Sequence, residues 1–173
     1  MPLTLAQCEV RSWQHDDLAS LVQQANNRNV WINLRDRFPH PYTTRDGREF
    51  LRTSLTQRPE TLFAIAVGGR AVGGIGFMMM PDVERVSAEI GYWLGEPFWG
   101  RGITTEAVVA VTRYAIETHG FTRVFALPFA WNRGSCRVLE KAGYVLEGHL
   151  RRSAIKDGQI IDQMQYAFIV APA

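Results

Sequence analysis

The chain has 173 residues, of which 46% are hydrophobic, and its 19 Lys and Arg nearly balance its 17 Asp and Glu at a formal charge of +2. A chain of this length and apolar content is expected to form a single domain over residues 1–173. The balanced charge argues against a nucleic-acid-binding or membrane-surface protein, because such proteins carry a basic excess.

The sequence also argues against export, membrane insertion and metal binding. Residues 1–13 lack a basic leader followed by an apolar stretch. No apolar run reaches the roughly 18 residues that a spanning helix needs. Cys8 and Cys136 are spaced neither for a disulfide framework nor for a zinc site. We therefore predict a cytoplasmic protein with reduced thiols and no metal, nucleic-acid or membrane partner.

The first third of the chain is predicted to alternate strand and helix. Residues 3–12 are typical of a first strand. An acidic stretch then begins an amphipathic helix that places four side chains on one face: Leu18, Leu21, Val22 and Ala25. Residues 29–42 mix aromatic residues with arginines and prolines, which is more typical of a binding lip than of a core element. Thr44 is expected to cap the next helix, which runs to about Leu55.

The middle of the chain predicts a hairpin, a strand and a long helix. Residues 61–67 and 71–80 alternate as strands, and the Gly68-Gly69-Arg70 turn between them is a hairpin signal. Residues 87–94 form a further strand, on which Glu89 is the one acidic residue. After a glycine-containing turn, a helix is expected over residues 104–119.

The last third predicts a strand, a helix and a second hairpin. Residues 123–130 form a strand containing Pro128, which cannot donate to a ladder, so neighbouring strands are expected to part there. Asn132 is a good N-cap for a helix over residues 133–142. Strands over residues 145–155 and 160–170 then meet at a turn.

The most informative segment is the turn that precedes the long helix, where residues 98–107 read FWGRGITTEA. Its glycines let the backbone approach an anion, and the first N–H groups of the helix attract negative charge. A pyrophosphate would fit there. The segment has neither the Lys-Ser/Thr of a Walker loop nor the third glycine of a dinucleotide fingerprint. An ordinary strand-to-helix connection fits the local pattern equally well.

Three segments in order carry a resemblance to a known family. Residues 89–94 read EIGYWL, residues 99–107 read WGRGITTEA, and residues 132–144 read NRGSCRVLEKAGY. Together they resemble the signature of the GNAT superfamily of N-acetyltransferases, in particular its RimJ/RimL-like branch, which contains the ribosomal-protein N-terminal acetyltransferases. The order of strands and helices along nearly the whole chain is similar to that family as well.

The resemblance implies a GNAT fold and a coenzyme. The fold is an α/β (α+β) architecture with a mixed, mostly antiparallel central sheet of about seven strands, flanked by about four helices. The sheet is splayed between its fourth and fifth strands. Acetyl-CoA is the implied co-substrate, and no metal is implied. The pantetheine arm is expected in the splay, beside Trp93 and Leu94 and close to the strand that contains Pro128.

The resemblance also implies which residues bind the coenzyme. The pyrophosphate is expected on the turn and the first helical residues: Trp99, Gly100, Arg101, Gly102, Ile103, Thr104 and Thr105. The family pattern Gln/Arg-x-x-Gly-x-Gly/Ala maps onto Trp99, Gly102 and Thr104, so the first and last positions depart from it. Tryptophan in the first position resembles the RimJ/RimL-like branch. Asn132 matches a residue that contacts the coenzyme in that branch.

The reaction needs a neutral amine, a stabilised oxyanion and a proton for the leaving thiolate. Glu89 is the candidate base, and an ion pair with a neighbouring arginine explains it equally well. The resemblance implies that Ser135 both contacts the coenzyme and donates the proton, and that a strand amide within residues 92–94 binds the oxyanion. Cys136, near a helix N-terminus, is an alternative nucleophile with a lowered pKa, although a packed thiol fits better.

The acceptor amine is not specified by the sequence. A protein or peptide N-terminus and a small-molecule amine both fit, and Arg28, Arg35 and Arg37 could receive an acidic acceptor or simply face solvent. Two other classes stay open: a non-catalytic acyl-CoA-binding sensor, and a partner-binding module that uses residues 29–42. The protein is expected to be a monomer or a homodimer that pairs through its last strand.

Overall fold

The computed structural model describes residues 3–171 and contains eight strands and five α-helices within that range. The strands are β1 (Leu3–Thr4), β2 (Glu9–Ser12), β3 (Leu62–Val67), β4 (Arg70–Met79), β5 (Ser87–Leu94), β6 (Arg123–Ala126), β7 (Val145–Lys156) and β8 (Gln159–Ile169). The helices are α1 (Leu18–Ala25), α2 (Arg28–Trp31), α3 (Thr44–Thr56), α4 (Ile103–His119) and α5 (Arg133–Lys141).

The strands follow the order β1-β2-β3-β4-β5-β6-β8-β7 in one sheet. Strands β5 and β6 pair in parallel, whereas the pairs β1–β2, β2–β3, β3–β4, β6–β8 and β7–β8 are antiparallel. The predicted mixed, mostly antiparallel α/β sheet is therefore confirmed. Both predicted hairpins are confirmed too, with Val67 opposite Arg70 and Lys156 opposite Gln159 at their tips.

The parallel pairing of β5 with β6 covers only the beginning of β5. The paired residues run from Ser87 opposite Arg123 to Glu89 opposite Phe125, and β6 ends at Ala126. Strand β5 continues to Leu94. The pairing thus ends just before Pro128, where the sequence predicts that the strands part.

The predicted first strand over residues 3–12 is wrong in one respect, because the structure divides it into β1 and β2. The chain turns back at Leu5, whose N–H donates to the Cys8 carbonyl at 2.8 Å, and β1 then pairs with β2. The backbone N–H of Gln7 in this turn donates to the Glu106 carboxylate at 3.1 Å. This tertiary contact lies outside the local pattern, and the division makes eight strands of the predicted seven.

Two helix predictions also need correction. The structure adds α2, a four-residue helix for which Asn27 is the N-cap, and its side-chain oxygen accepts from the Asn29 and Val30 N–H groups. The cap of α3 is Thr43 rather than Thr44, since the Thr43 hydroxyl accepts from the N–H of Asp46. Neighbouring threonines fit the cap equally well in sequence, so only the backbone conformation distinguishes them.

The described residues form two compact units. The first contains the chain up to Gly76 together with Tyr92–Ala107, and the second contains Phe77–Gly91 together with the chain from Val108 onwards. The expectation of one domain over residues 1–173 stays a prediction.

The first unit has a hydrophobic core between its helices and strands β2 to β4. Its buried members are Trp13, Leu21, Ala25, Tyr42, Leu51, Ala64 and Ala71. The predicted apolar face of α1 packs here, which confirms it. Phe38 and Tyr42, from the predicted lip of residues 29–42, belong to this core as well. Only part of that segment is therefore available as a binding surface.

The second unit packs helices α4 and α5 with strands β6 to β8. Val111, Ala115 and Leu139 are buried on the inner faces of the two helices. The Tyr144 and Thr112 hydroxyls are hydrogen-bonded at 2.6 Å, so the chain just after α5 is fixed to α4. Asn132 caps α5 as predicted, because its side-chain oxygen accepts from the N–H of Ser135 at 3.1 Å.

We predict that Gly73→Ala destabilises the first unit. A Cβ at Gly73 would lie 2.4 Å from the Trp93 carbonyl oxygen and 3.0 Å from the Leu94 Cα. Neither atom belongs to a flexible side chain, so the strands must move apart. We expect a loss of about 1–3 kcal/mol in the free energy of unfolding, measured by urea denaturation.

Gly91→Ala is the matched control, because a Cβ added at this position of β5 would have no heavy atom within 4 Å. It should leave the free energy of unfolding unchanged or raise it by up to about 1 kcal/mol, since alanine restricts the unfolded chain. Equal urea midpoints for the two variants would contradict the close packing at Gly73.

Candidate functional site

The end of strand β5 and the turn that follows it are held by three hydrogen bonds. The Gly95 N–H donates to the Val72 carbonyl of β4 at 2.8 Å. The Phe98 N–H donates to the Gly95 carbonyl at 3.0 Å, within the 3-10 turn Glu96–Phe98. The Trp99 indole Nε1 donates to the Leu94 carbonyl at 2.7 Å. The turn therefore leaves β5 in a fixed direction.

Two glycines of this turn adopt backbone conformations that other residues rarely adopt. Gly100 has a φ of 76° and Gly102 a φ of 82°, both in the left-handed region. Helix α4 begins immediately afterwards at Ile103 and continues for 17 residues. The turn thus leads directly into the positive end of a long helix, where the first N–H groups have no partner within the helix.

The turn is exposed to solvent and carries a positive charge, so an anion can reach it. Gly100, Arg101 and Gly102 are exposed, and Trp99 is 45% exposed. Ile103 is buried and anchors the start of the helix. Arg101 adds a positive charge, and its guanidinium lies 5.4 Å from the centre of the Phe98 ring. The first turn of α4 also contains two half-buried threonines, Thr104 and Thr105. Chemically, this arrangement can bind a phosphate group.

The turn between β1 and β2 lies beside the same end of α4, which sequence reasoning missed. The Gln7 backbone N–H donates to Glu106 Oε2 at 3.1 Å, and Gln7 Nε2 lies 3.4 Å from Glu106 Oε1. A Cβ at Gly102 would lie 3.1 Å from Gln7 Nε2. No local signal could have identified Gln7, because its partner Glu106 lies 99 positions away in the chain.

Cys8 lies next to this contact, and its thiol is inert. Its Sγ is 4.0 Å from the Ile103 carbonyl oxygen. Burial, and then the negative charge of Glu106, raise the pKa of Cys8 to about 11. The thiol is therefore protonated at neutral pH and serves as a packed apolar group.

The last two residues of β5, both predicted to contact a coenzyme, lie in the same unit as the turn. Leu94 is 5% exposed, and Trp93 is partly buried against the core. The Trp93 ring lies 5.5 Å from the Phe38 ring, centre to centre. The structure therefore brings Trp93 and Leu94 together with residues 99–105.

The other three predicted site residues lie in the second unit. Asn132 and Ser135 are adjacent at the N-terminus of α5, and both are half-buried. Glu89 is also half-buried and is the last residue of β5 that pairs with β6. Asn132 and Ser135 are brought together by the cap, as predicted.

The alternative role for Cys136 as a nucleophile is not supported. Its side chain is buried on α5, and this burial raises the pKa of the thiol instead of lowering it. A hydrogen bond with Tyr166 and the charge of Arg133 act in the opposite direction but are weaker. The expected effect of the helix N-terminus is therefore outweighed by desolvation, and the thiol stays protonated at neutral pH.

Metal-ligand groups and membrane-spanning helices are both absent from the part of the chain that the structure describes. Among residues 3–171, no group of three or more His, Cys, Asp or Glu side chains could hold a metal ion. No described helix is long and apolar enough to cross a membrane.

Comparisons with known proteins show which proteins this chain is similar to. Residues 8–145 match the family model of the acetyltransferase (GNAT) domain. The chain is 33% identical over 157 residues to the putative ribosomal N-acetyltransferase YdaF of Bacillus subtilis (strain 168), a match that covers 88% of this chain and 84% of that relative. It is also 33% identical over 98 residues to the uncharacterized N-acetyltransferase YoaA of the same organism. That match covers 57% of this chain and just over half of the relative, 55% of its length.

Among solved structures, the fold is similar to that of RimL, a ribosomal L7/L12 alpha-N-protein acetyltransferase in complex with coenzyme A. The TM-score is 0.85 at 20% sequence identity, and the match covers 98% of both chains. At this level of identity the likeness concerns the fold alone.

Proposed function

Because this chain belongs to the GNAT acetyltransferase family, we propose that it transfers an acetyl group from acetyl-CoA to a primary amine. The amine attacks the thioester directly while both substrates are bound. The observation that carries this proposal is the turn of residues 99–102, with two left-handed glycines, at the N-terminus of a 17-residue helix. Such a turn binds a pyrophosphate through backbone N–H groups and the helix dipole.

In this proposal the coenzyme pyrophosphate lies on Gly100, Arg101, Gly102, Ile103, Thr104 and Thr105. The side chain of Trp99 fixes the turn through its bond to the Leu94 carbonyl and presents an exposed indole beside it. Trp93 and Leu94 contact the pantetheine arm. Thr104 replaces the usual small residue of the family pattern, and it is half-buried in the first turn of α4.

Asn132 and Ser135 contact the coenzyme from the N-terminus of α5. The Asn132 side-chain oxygen already accepts from the Ser135 N–H, so the cap orients both residues. The hydroxyl of Ser135 is the proposed proton donor for the leaving thiolate. A helix N-terminus favours negative charge, which assists a developing thiolate.

The proposed chemistry removes two protons from the acceptor nitrogen and gives one to sulfur. Glu89 accepts the first proton from the ammonium form of the acceptor, directly or through a water molecule, which leaves a neutral amine. The amine nitrogen then bonds to the acetyl carbonyl carbon, and a backbone N–H within residues 92–94 stabilises the oxyanion. When the carbon–sulfur bond breaks, Ser135 protonates the thiolate and coenzyme A leaves, while the nitrogen gives up its second proton, which returns through water to the Ser135 oxygen.

The acceptor is proposed to be a protein or peptide N-terminus or a small-molecule amine. YdaF is named a putative ribosomal N-acetyltransferase, and RimL is named a ribosomal L7/L12 alpha-N-protein acetyltransferase. We propose that the reaction takes place in the cytoplasm, where acetyl-CoA is formed, and that the protein acts as a monomer or homodimer, without nucleic acid or membrane.

We predict that acetyl-CoA and coenzyme A bind this protein and that NADH does not. Gly102→Ala should weaken acetyl-CoA binding by about ten-fold or more, about 1.4 kcal/mol, in a calorimetric titration. The reason is that a Cβ at this left-handed position strains the turn and lies only 3.1 Å from Gln7 Nε2, so the backbone N–H groups proposed to bind the pyrophosphate are displaced.

Gly120→Ala is the matched control for this titration. Gly120 has a φ of 70° and follows the C-terminus of α4, so alanine strains the backbone in the same way without touching the turn. Its affinity for acetyl-CoA should equal that of the wild type. An equal loss in both glycine variants, or wild-type protein that binds neither coenzyme species, would overturn the assignment of the turn.

We predict that Glu89→Gln and Ser135→Ala each lower kcat by about 10²-fold, and that Glu89→Gln leaves the Kd for acetyl-CoA within about three-fold. The glutamine cannot accept the amine proton, and the alanine cannot protonate the thiolate. Turnover is followed as release of free coenzyme A thiol.

Glu117→Gln serves as the control, because Glu117 is an exposed acid on α4. Its kcat should stay at the wild-type value. If Glu89→Gln and Ser135→Ala also keep wild-type turnover, the roles given to those two residues are wrong, although the reaction class would stand.

A further inference from the structure

A carboxylate at the beginning of the coenzyme turn is bonded to the segment that begins helix α2. Glu96 Oε2 accepts from the Asn27 side-chain Nδ2 at 2.7 Å, and Glu96 Oε1 accepts from the Asn29 Nδ2 at 3.0 Å. Both oxygens of one carboxylate thus accept hydrogen bonds from two asparagines. Hydrogen bonds to an ionised acceptor are stronger than those between neutral groups.

The two asparagines are the residues that fix the start of α2. Asn27 is the N-cap, and its Oδ1 accepts from the Asn29 and Val30 N–H groups at 2.7 and 3.3 Å. The Asn29 carbonyl accepts from the Asn33 Nδ2 at 3.0 Å just after the helix. A helix of four residues is not stable alone, so its position depends on contacts such as these.

Glu96 is equally well fixed on the side of the turn. Its carbonyl accepts from the Trp99 N–H at 3.1 Å, and Gly95 before it is bonded to β4. A Cβ at Gly95 would lie 2.2 Å from the Gln24 side-chain oxygen, so the end of α1 also packs closely here. The Glu96 carboxylate therefore links the turn to the start of α2 through two hydrogen bonds.

The segment of residues 28–42 meets the end of β5 at a second point, where the Phe38 ring packs on the Trp93 ring. Elsewhere the segment carries aromatic and basic side chains. The Arg28 guanidinium lies 5.3 Å from the centre of the Trp31 ring, and the His40 ring lies 5.6 Å from the same ring. This segment is therefore next to both Trp93 and Glu96 within one compact unit.

We infer that Glu96 is a positioning residue that couples occupancy of the coenzyme turn to the placement of α2 as a wall of the acceptor site. The inference rests on the proposed function. When the pyrophosphate orders residues 99–105, the Glu96 carboxylate holds Asn27 and Asn29, and α2 is ordered with the turn. By thermodynamic reciprocity, an acceptor that orders α2 also tightens coenzyme binding.

The test is hydrogen exchange of the full chain, measured by mass spectrometry with and without acetyl-CoA. In the wild type, acetyl-CoA should slow exchange in peptides covering residues 99–107 and, by about three-fold or more, in peptides covering residues 28–34. In Glu96→Gln, the slowing at residues 99–107 should persist and that at residues 28–34 should disappear. The glutamine amide has one acceptor oxygen where the carboxylate has two, and it carries no charge, so the paired, charge-assisted hydrogen bonds from Asn27 and Asn29 are lost.

Asn29→Ala is a second variant that keeps the Asn27 cap and removes one of the two bonds to Glu96. It should reduce the acetyl-CoA-dependent slowing at residues 28–34 by about half or more. Glu117→Gln is the control and should behave as the wild type. Glu96→Gln is also tested by kinetics. A panel of N-terminal peptides and polyamines is first screened for an amine that the wild type acetylates. With that amine as acceptor, Glu96→Gln should raise the acceptor KM by about ten-fold and change kcat by less than about two-fold.

If the role of Glu96 is purely structural, amide hydrogens of residues 28–34 in Glu96→Gln should exchange faster both with and without acetyl-CoA. The slowing caused by acetyl-CoA would then stay the same as in the wild type. That result, or a wild type that slows exchange at residues 99–107 and not at residues 28–34, overturns this inference alone. A wild type without slowing at residues 99–107 overturns the proposed function and this inference together.

Discussion

The close approach of β4 to the end of β5 is the constraint on which the turn of residues 99–102, proposed to bind the coenzyme, depends. Gly73 lets the Trp93 carbonyl come so near that a methyl group would not fit, and the Gly95 N–H is bonded to Val72 of the same strand. The Trp99 indole then closes on the Leu94 carbonyl. These contacts point the chain toward the left-handed glycines of the turn and the start of α4. Without these contacts, the orientation of the first N–H groups of α4 relative to the end of β5 would not be fixed, and a bound anion would have no defined position.

Much of this arrangement could be predicted, because its information is local. The alternation of residues 87–94 gives strand β5 with its observed bounds, and the predicted start of α4 differs by one residue from the observed one. Asn132 specifies the start of α5 through capping. Pro128 predicts the end of pairing because proline cannot donate to a ladder. In each case the deciding interaction lies within a few residues of the chain.

The missed features depend on contacts between distant parts of the chain. The turn between β1 and β2 is bonded to Glu106, and α2 is bonded to Glu96, so both depend on partners from distant segments of the chain. The predicted binding lip of residues 29–42 is also smaller than expected, because Tyr42 is buried in the core by contacts with distant segments. For Cys136, position at a helix N-terminus suggested a lowered pKa, but the sequence does not reveal how deeply the thiol is buried. The acceptor site also could not be predicted from the sequence, since its proposed wall, α2, is positioned by contacts between distant parts of the chain.

The proposed reaction is the acetylation of an amine by acetyl-CoA. The most direct test is mass spectrometry of a reaction containing the protein, acetyl-CoA and a mixture of peptides with free N-termini, polyamines and amino acids. We predict that one class of amine gains a single acetyl group in step with the release of coenzyme A, and that omitting the protein abolishes both. Binding of acetyl-CoA without any acetylated amine across such a mixture would contradict the proposed reaction and would favour a non-catalytic sensor of acyl-CoA.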